Sequence, residues 1–194
     1  AERLGVSARH LRRLFEEELG KTPKQISDNN RLNFARKLLV ETGIPVTDIA
    51  FTSGFLSVRR FNDAIKQRFH RSPSDLRKNH SDAASKTGIH LTLSYRPPFD
   101  WETLLQFYRS HAMSGIETVD NNGYERVFKL NDAVGGLRVI SNPEKSELKL
   151  RVVTEDYKNL FTVVQKIRQM FDLDSDPVLV ANGFSESKPF SQLC

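Results

Sequence analysis

The stretch S-A-R-H-L-R-R-L-F-E-E-E-L, residues 7–19, decides how the first part of this chain is organised. At about 100° per residue, it predicts a helix with one apolar side and one charged side. The apolar side carries Leu11, Leu14, Phe15 and Leu19, and the charged side carries Arg9, Arg12, Arg13 and Glu16. Just upstream, Gly5 is placed to close a preceding helix after Leu4, and Ser7 is placed to cap the new one. A glycine-containing turn followed by a capped helix with an arginine side indicates a helix-turn-helix.

The same pattern returns 50 positions later, in residues 46–69. Gly54 closes a short helix and Ser57 caps the next one, as Gly5 and Ser7 do in the first copy. The second capped helix is expected to bury Phe61, Ala64, Ile65 and Phe69 and to expose Arg59, Asp63 and Lys66. We expect Asp63 to pair with Arg59, Arg60 or Lys66 on its own helix, in preference to accepting a hydrogen bond from cytosine N4.

A long helix is predicted between the two copies. It begins at Pro23 and ends near Glu41, and its apolar residues recur at helical spacing: Ile26, Leu32, Ala35, Leu38 and Leu39. A helix of that length is a rod of roughly 26 Å. With a three-helix lobe at each end, the rod would hold the two capped helices about one DNA turn apart, roughly 34 Å. One chain would then contact two successive major-groove faces of a duplex.

The arginine side of these helices has two interpretations. An α-helix fits the major groove, where arginine donates two hydrogen bonds to guanine O6 and N7. The alternative is an ordinary surface helix whose charged side faces solvent. A single helix would not separate the two interpretations, and the second copy favours DNA binding.

These motifs resemble the AraC-type DNA-binding domain over residues 1 to about 79. The similarity rests on L-G-V-S-x-x-x-L-x-x-x-F at 4–15, I-A-x-x-x-G-F-x-S at 49–57, Phe61, and F-x-x-S-P-x-x-L-R at 69–77. The resemblance implies base contacts from Arg9, Arg12 and Arg13 on the first recognition helix and from Val58, Arg59, Asn62 and Asp63 on the second. Val58 and Asp63 stand where the family often has a basic or amide residue. The resemblance also implies that the chain begins inside the first helix of the first motif.

Charge is divided unevenly along the chain. Residues 1–80 carry 16 Lys and Arg against 9 Asp and Glu, a net charge of +7, whereas residues 81–194 carry 13 against 15, a net charge of −2. This predicts that only the first half lies on phosphate, with binding that weakens steeply as salt rises.

The single cysteine, Cys194, excludes an intramolecular disulfide and a multi-cysteine zinc site. With neither a signal peptide nor an apolar run of about 18 residues, we expect a cytoplasmic protein with no membrane partner.

The second half changes from helical periodicity to alternation. After a polar linker at 80–88, residues 89–95 alternate as a strand, and a helix capped by Asp100 follows with Trp101, Leu104, Leu105 and Tyr108 inward. Four strands are predicted at 115–120, 124–130, 135–141 and 147–153, with a hairpin turn at 121–123. A helix over 157–171 is expected to cover them with Leu160, Phe161, Val164, Ile167 and Phe171. The fold class is therefore an all-helical double helix-turn-helix domain followed by an α+β domain, an antiparallel sheet with two helices on one side.

This half resembles the N-terminal domain of AlkA-type 3-methyladenine DNA glycosylases. The similarity rests on L-S-Y-R-P-P-F-D-W at 93–101, G-I-E at 115–117 and F-D-L-D-x-D-P at 171–177. It implies a fold like half of a TATA-binding protein, whose sheet need not contact DNA. In that family the chemistry lies in a later helix-hairpin-helix domain, and neither its L-P-G-I-G hairpin nor the aspartate after it occurs here. The block at 93–101 also has a local interpretation, a strand stop followed by a helix start, which we prefer.

The expected domains are a double helix-turn-helix at 1–79, a linker at 80–88, an α+β domain at 89–176, and at 177–194 the start of a glycosylase domain or a tail. The combination resembles bacterial Ada/AlkA regulatory repair proteins and predicts a sequence-specific DNA-binding regulator linked to alkylation repair. The alternative is part of a 3-methyladenine glycosylase whose helix-turn-helix half grips DNA. A third hypothesis is an interaction module, in which the α+β half docks on its own catalytic domain. Outward placement of Leu137, Val139 or Phe128 would support it.

The expected partners are double-stranded DNA and RNA polymerase, with the chain acting as a monomer. Within this chain we expect no catalytic residue, no cofactor and no metal. Asp172-x-Asp174-x-Asp176 lacks the Gly and Glu of a calcium loop, because Pro177 and Gly183 stand at those places. The five histidines also lack the spacings H-x-x-x-H and H-E-x-x-H.

Overall fold

The computed structural model describes residues 4–77, 88–130 and 132–186, apart from the side chains of 133, 185 and 186. The chain falls into two compact units: the first comprises Ala1–Val40 and Ile44–Asn79, and the second comprises Glu41–Gly43 and His80–Cys194. The expected linker at 80–88 lies outside the described residues except for Gly88, and Cys194 lies outside them as well. Within the described ranges, no helix is both long and apolar enough to cross a membrane.

Over residues 4–77, which contain the described part of the first unit, the secondary structure is helical only. The helices are α1 (Ala8–Leu19), α2 (Pro23–Glu41), α3 (Val46–Thr52), α4 (Val58–Phe69) and α5 (Pro73–Leu76). The predicted central helix is confirmed, and its 19 residues make a rod of about 28 Å. Gly5 and Gly54 have left-handed φ angles of 64° and 80°, as the two predicted turns require.

The apolar core of this unit lies under α3 and α4. It contains Phe34, Ala35, Leu38 and Leu39 of α2, Ile49 and Ala50 of α3, and Phe61 and Ile65 of α4. All the buried residues of α2 therefore fall in its second half, while Ile26 and Leu32 are only half-buried. Phe55 packs edge-on against Phe61, with 5.3 Å between their ring centroids.

Helix α1 has no comparable core among the described residues. None of its residues is buried, and Leu14 and Leu19 keep 37% and 57% of their surface exposed. In the part of the chain that the structure describes, a packed apolar core therefore lies at the α3–α4 end of α2 and not around α1. The apolar side of α1 is present in the sequence, but within the described ranges nothing packs closely enough against it to bury it.

The second unit is an antiparallel sheet with helices. Its strands are β1 (Ile89–Ser94), β2 (Glu117–Val119), β3 (Gly123–Leu130), β4 (Ala133–Asn142) and β5 (Glu147–Thr154), in the spatial order β1-β5-β4-β3-β2. Its helices are α6 (Trp101–His111), α7 (Leu160–Met170) and α8 (Pro177–Glu186). All four strand pairs are antiparallel, as the α+β prediction requires.

Strand register divides this sheet into a covered face and an open face. On the covered face, Leu91 of β1 pairs with Leu150 of β5, which pairs with Val139 of β4. Leu137 and Val139 are buried there and Phe128 is half-buried, so the outward placement that would support an interaction module is not observed. The exposed apolar residues of the sheet are instead Val127, Val134 and Val153 on the open face.

An aromatic cluster joins both covering helices to the sheet. The ring centroid of Tyr124 in β3 lies 5.2 Å from that of Tyr108 and 5.9 Å from that of Phe171. The hydroxyl of Tyr108 also donates a 2.6 Å hydrogen bond to the carbonyl of Met170, which ties α6 to α7. Trp101 completes the cluster, 5.4 Å from Phe171.

Candidate nucleic-acid interface

Helix α1 begins and ends at residue types that favour helix ends. The Oγ of Ser7 accepts a hydrogen bond from the backbone N–H of His10 at 3.1 Å, which satisfies one of the unpaired amides of the first turn. Gly20 ends the helix with a left-handed φ of 63°, and its N–H donates to the carbonyl of Glu16 at 3.1 Å. The predicted cap at Ser7 is therefore confirmed.

The charged side of α1 forms a shallow groove of about 530 Å³, lined by Ser7, Arg9, His10, Arg12, Arg13 and Glu16. Arg9, Arg12 and Arg13 are all exposed. Arg12 Nε lies 3.0 Å from Glu16 Oε1, and Arg13 Nε lies 3.5 Å from Glu17 Oε1. The structure thus brings the three predicted base-contacting arginines to one side of one helix.

Helix α4 is built in the same way. Ser57 Oγ accepts from the N–H of Arg60 at 3.3 Å, and His70 ends the helix with a left-handed φ of 55°. Phe61 and Ile65 anchor its inner side, while Ala64 and Phe69 are only half-buried. Of the predicted contact residues, Arg59, Asn62 and Asp63 are exposed, and Val58 is half-buried.

The expected pairing of Asp63 is not formed. Within ranges 4–77, 88–130 and 132–186, its carboxylate makes no ion pair, although Arg59, Arg60 and Lys66 stand three or four residues away. An exposed pair gains little once the loss of side-chain freedom is counted, so such spacing does not ensure contact. Asp63 therefore presents a free negative charge on the outer side of α4.

The repeat extends past the two recognition helices to the start of the helix that follows each of them. This extension was not predicted from the sequence. After α1, the Oγ1 of Thr22 accepts from the N–H of Gln25 at 3.1 Å, and the N–H of Thr22 donates to Gln25 Oε1 at 2.8 Å. After α4, Ser72 and Asp75 form the same reciprocal box at 3.1 and 3.3 Å. The signal was in the sequence, since Thr22-Pro23-x-Gln25 and Ser72-Pro73-x-Asp75 are also 50 positions apart.

The structure places one further arginine beside the second motif. Arg31 is an exposed residue of α2, and its guanidinium group lies over the turn at Gly54. No periodicity or motif points to this residue, because the contact depends on how α2 packs against α3.

The second unit presents a different electrostatic surface. A groove of about 850 Å³ lies where β4 and β5 meet the segment before α7, and its charged lining residues are Asp132, Glu155, Asp156 and Lys158. With three carboxylates and one ammonium group, this groove repels phosphate. Among the described residues, no group of three or more His, Cys, Asp and Glu could hold a metal ion.

The conspicuous polar contacts of this unit have structural roles. Asp100 caps α6, and the Thr103 hydroxyl that donates to it lowers the pKa of the Asp100 carboxyl. The Tyr124 hydroxyl donates to Glu117 Oε1 at 2.6 Å and is the main cause of the lowered pKa of Glu117. Burial in turn raises the pKa of Tyr124. The local interpretation of the block at 93–101 is supported, because Tyr95 stacks on Phe99 and Asp100 starts the helix.

Comparison with known families gives two matches that divide the chain at the same place as its two units. A family model described as a helix-turn-helix domain matches residues 1–79, and one described as the AlkA N-terminal domain matches residues 90–193, more than half of the chain.

Curated relatives cover both matches or the first alone. A probable bifunctional transcriptional activator/DNA repair enzyme AlkA of Mycobacterium tuberculosis (strain H37Rv) is 31% identical and aligns with 94% of this chain, which spans 38% of that protein's length. The HTH-type transcriptional regulator GlxA of Rhizobium meliloti is 39% identical over 38% of this chain and 23% of its own. Among solved structures, a transcriptional regulator described as AraC-type from Chromobacterium violaceum is 33% identical over 43% of this chain and 75% of its own, with a TM-score of 0.39.

Proposed function

Because the chain belongs to the AlkA N-terminal domain family and carries an AraC-type helix-turn-helix domain ahead of it, we propose that it is a DNA-binding transcription regulator linked to the repair of alkylated DNA. It binds double-stranded DNA through the first unit and recognises a specific sequence there. The observation that carries this proposal is the duplicated recognition helix. Helices α1 and α4 start at serine caps 50 positions apart, and each turns exposed arginines outward.

The two helices contribute unequally to base recognition. Arg9, Arg12 and Arg13 enter one major groove from α1, where arginine donates paired hydrogen bonds to guanine. Arg59 and Asn62 enter the next groove from α4, and Asn62 suits the donor and acceptor pair of adenine. Val58 and Asp63 weaken this second contact, since one has no hydrogen-bonding group and the other repels phosphate.

The chain occupies one operator as a monomer in the bacterial cytoplasm. Two helix-turn-helix motifs in one polypeptide supply both groove contacts, a task that a single-motif protein accomplishes by dimerising. RNA polymerase is the further partner that this role requires, since the M. tuberculosis relative is described as a transcriptional activator.

A second candidate function is supported by the same relative, whose description also names a DNA repair enzyme. In that account the whole protein excises alkylated bases, and the first unit supplies additional grip on DNA. The 194 residues contain neither the L-P-G-I-G hairpin nor its following aspartate. We therefore expect the purified chain to release no 3-methyladenine from alkylated DNA. Measurable release would show that these 194 residues excise bases without that hairpin and aspartate.

The proposed function is tested by selecting duplexes from a random-sequence library and titrating the preferred duplex with salt. The wild-type chain should bind it with an affinity that falls linearly on a log–log plot, because each neutralised phosphate releases counterions. A triple variant, R9A/R12A/R13A, should lose the preference. The matched control K129A/K149A/K158A removes the same charge from exposed lysines of the second unit and should bind as the wild type does. Selection of no preferred sequence, or equal losses in both variants, would contradict the proposal.

A further inference from the structure

Glu16 occupies an unexpected place for a protein that binds phosphate. On a helical projection it stands between Arg12 and Arg9, about 40° from the first and about 20° from the second. It also lines the groove formed by these arginines. Glu17 and Glu18 lie progressively further around the helix. A carboxylate in the middle of the DNA-binding side repels phosphate, so it is unexpected there unless it performs another task.

The contact of Glu16 suggests that task. Its Oε1 accepts from Nε of Arg12 at 3.0 Å, and within the described ranges Nη1 and Nη2 of Arg12 donate no hydrogen bond. A guanidinium group can present two different pairs of donors to guanine, either Nε with one Nη or the two Nη atoms end-on. With Nε engaged, only the end-on pair remains for O6 and N7.

We propose that Glu16 is a positioning residue that holds Arg12 for end-on recognition of a guanine and so sets the specificity of the first recognition helix. This inference rests on the proposed function and adds a specificity-determining residue to it. The second recognition helix has no such pair, because Asn62 and Lys66 stand at the corresponding places. Guanine discrimination of this kind therefore belongs to α1 alone.

The pair has little influence on folding. Arg12 and Glu16 keep 67% and 46% of their side chains exposed, and exposed i,i+4 pairs contribute little to stability. Replacing Glu16 with glutamine should leave the fold intact and also remove a negative charge near phosphate. The variant should therefore bind unrelated DNA more tightly while it discriminates less at one base pair. If Glu16 had a merely structural role, its replacement would not raise the affinity for unrelated DNA while lowering the discrimination at one base pair.

The test compares the full-length wild type, E16Q and the matched control E18Q, which removes the same charge from an exposed residue on another side of α1. The probes are the duplex selected by the wild type, its single-base-pair variants, and one unrelated duplex at the same salt concentration. E16Q should lose about 3- to 10-fold of its discrimination at one G·C pair, less than the loss from deleting the contacting arginine itself. Its affinity for the unrelated duplex should rise, and E18Q should keep the discrimination of the wild type.

A double-mutant cycle shows whether Glu16 acts through Arg12. In an R12A background, E16Q should cause no further loss of discrimination at that base pair. Unchanged discrimination in E16Q, or an equal loss of affinity for every duplex, would overturn the positioning role. If the wild type itself prefers no sequence, the proposed function fails instead, so the two failures are distinguishable.

Discussion

The guanidinium group of Arg31 rests against Gly54, with Nη1 3.5 Å from the position that a β-carbon on Gly54 would occupy. That distance is ordinary van der Waals contact, so a methyl group fits the space beside the arginine. The backbone is the stronger constraint, because Gly54 has a φ of 80°, where residues with a β-carbon are strained.

Gly54→Ala should therefore destabilise the first unit by about 1–2 kcal/mol. The control is Gly43→Ala, at a glycine that groups with the second unit, because Gly43 has no left-handed φ and an added β-carbon there meets nothing within 4 Å. It should be neutral or stabilise the protein by up to about 1 kcal/mol. Urea unfolding followed by far-UV circular dichroism measures both. Equal effects of the two substitutions would contradict the role of the turn.

Glu117→Gln should destabilise the second unit by about 1 kcal/mol at neutral pH, because a charge-assisted hydrogen bond from Tyr124 becomes a neutral one. The pKa of Glu117 is lowered from 4.5 in the folded state, so its contribution is complete above that unfolded value. The contribution disappears as the pH falls through the folded-state pKa, and the two proteins should then have similar stabilities.

Fluorescence of Trp101 reports this unfolding specifically, since it is the single tryptophan of the chain and packs against Phe171. Glu125→Gln is a useful comparison, because its ion pair with Arg138 involves a half-exposed carboxylate and should matter less. A stability difference between wild type and E117Q that persists unchanged into acid would show that the carboxylate charge is not the cause.

Arg13→Ala should weaken binding to the preferred duplex by about 1–3 kcal/mol and relax base choice at one position. The reason is that Arg13 stands on the exposed side of α1, where an exposed ion pair with Glu17 at 3.5 Å is weak enough to give way to a base edge. Competition binding with single-base-pair variants measures it. A uniform loss over all sequences would make Arg13 a phosphate contact, and no loss would remove it from the interface.

Asp63→Asn should raise affinity for every duplex, because it removes an unpaired negative charge from the outer side of α4. The gain should shrink as salt rises, since screening already weakens the repulsion. Asp63→Glu retains the charge and serves as the control. If Asp63→Asn instead weakens binding at a single base pair, the carboxylate accepts a hydrogen bond from cytosine N4.

Sequence periodicity predicted the direction of side chains better than their burial. It placed Phe61 and Ile65 on the inner side of α4, and both are buried. The equivalent side of α1 stays exposed because burial depends on what packs against a helix, which no spacing reveals. In α7, Val163 is buried in place of the predicted Phe161, since Val163 lies on the same side of the helix as Leu160, Val164 and Ile167, whereas Phe161 stands about 100° from Leu160.

The candidate interface shows the same division. Residue types and caps predicted which arginines would be exposed, because the charged side of an amphipathic helix faces solvent when its apolar side faces the core. Spacing alone did not predict which charges would pair. Arg12 and Glu16 form an i,i+4 pair whereas Arg59 and Asp63, at the same separation, do not. The net free energy of forming an exposed ion pair is so close to zero that the local surroundings decide whether the pair forms.

The measurement that tests the account most directly is a hydroxyl-radical footprint of the chain on its preferred duplex. Two protected segments are predicted, with centres about one helical turn apart, near 34 Å or 10 base pairs. R13A should weaken protection in one segment, and Arg59→Ala should weaken it in the other. A single protected segment, or two segments that respond alike to both substitutions, would contradict the claim that α1 and α4 occupy successive major grooves.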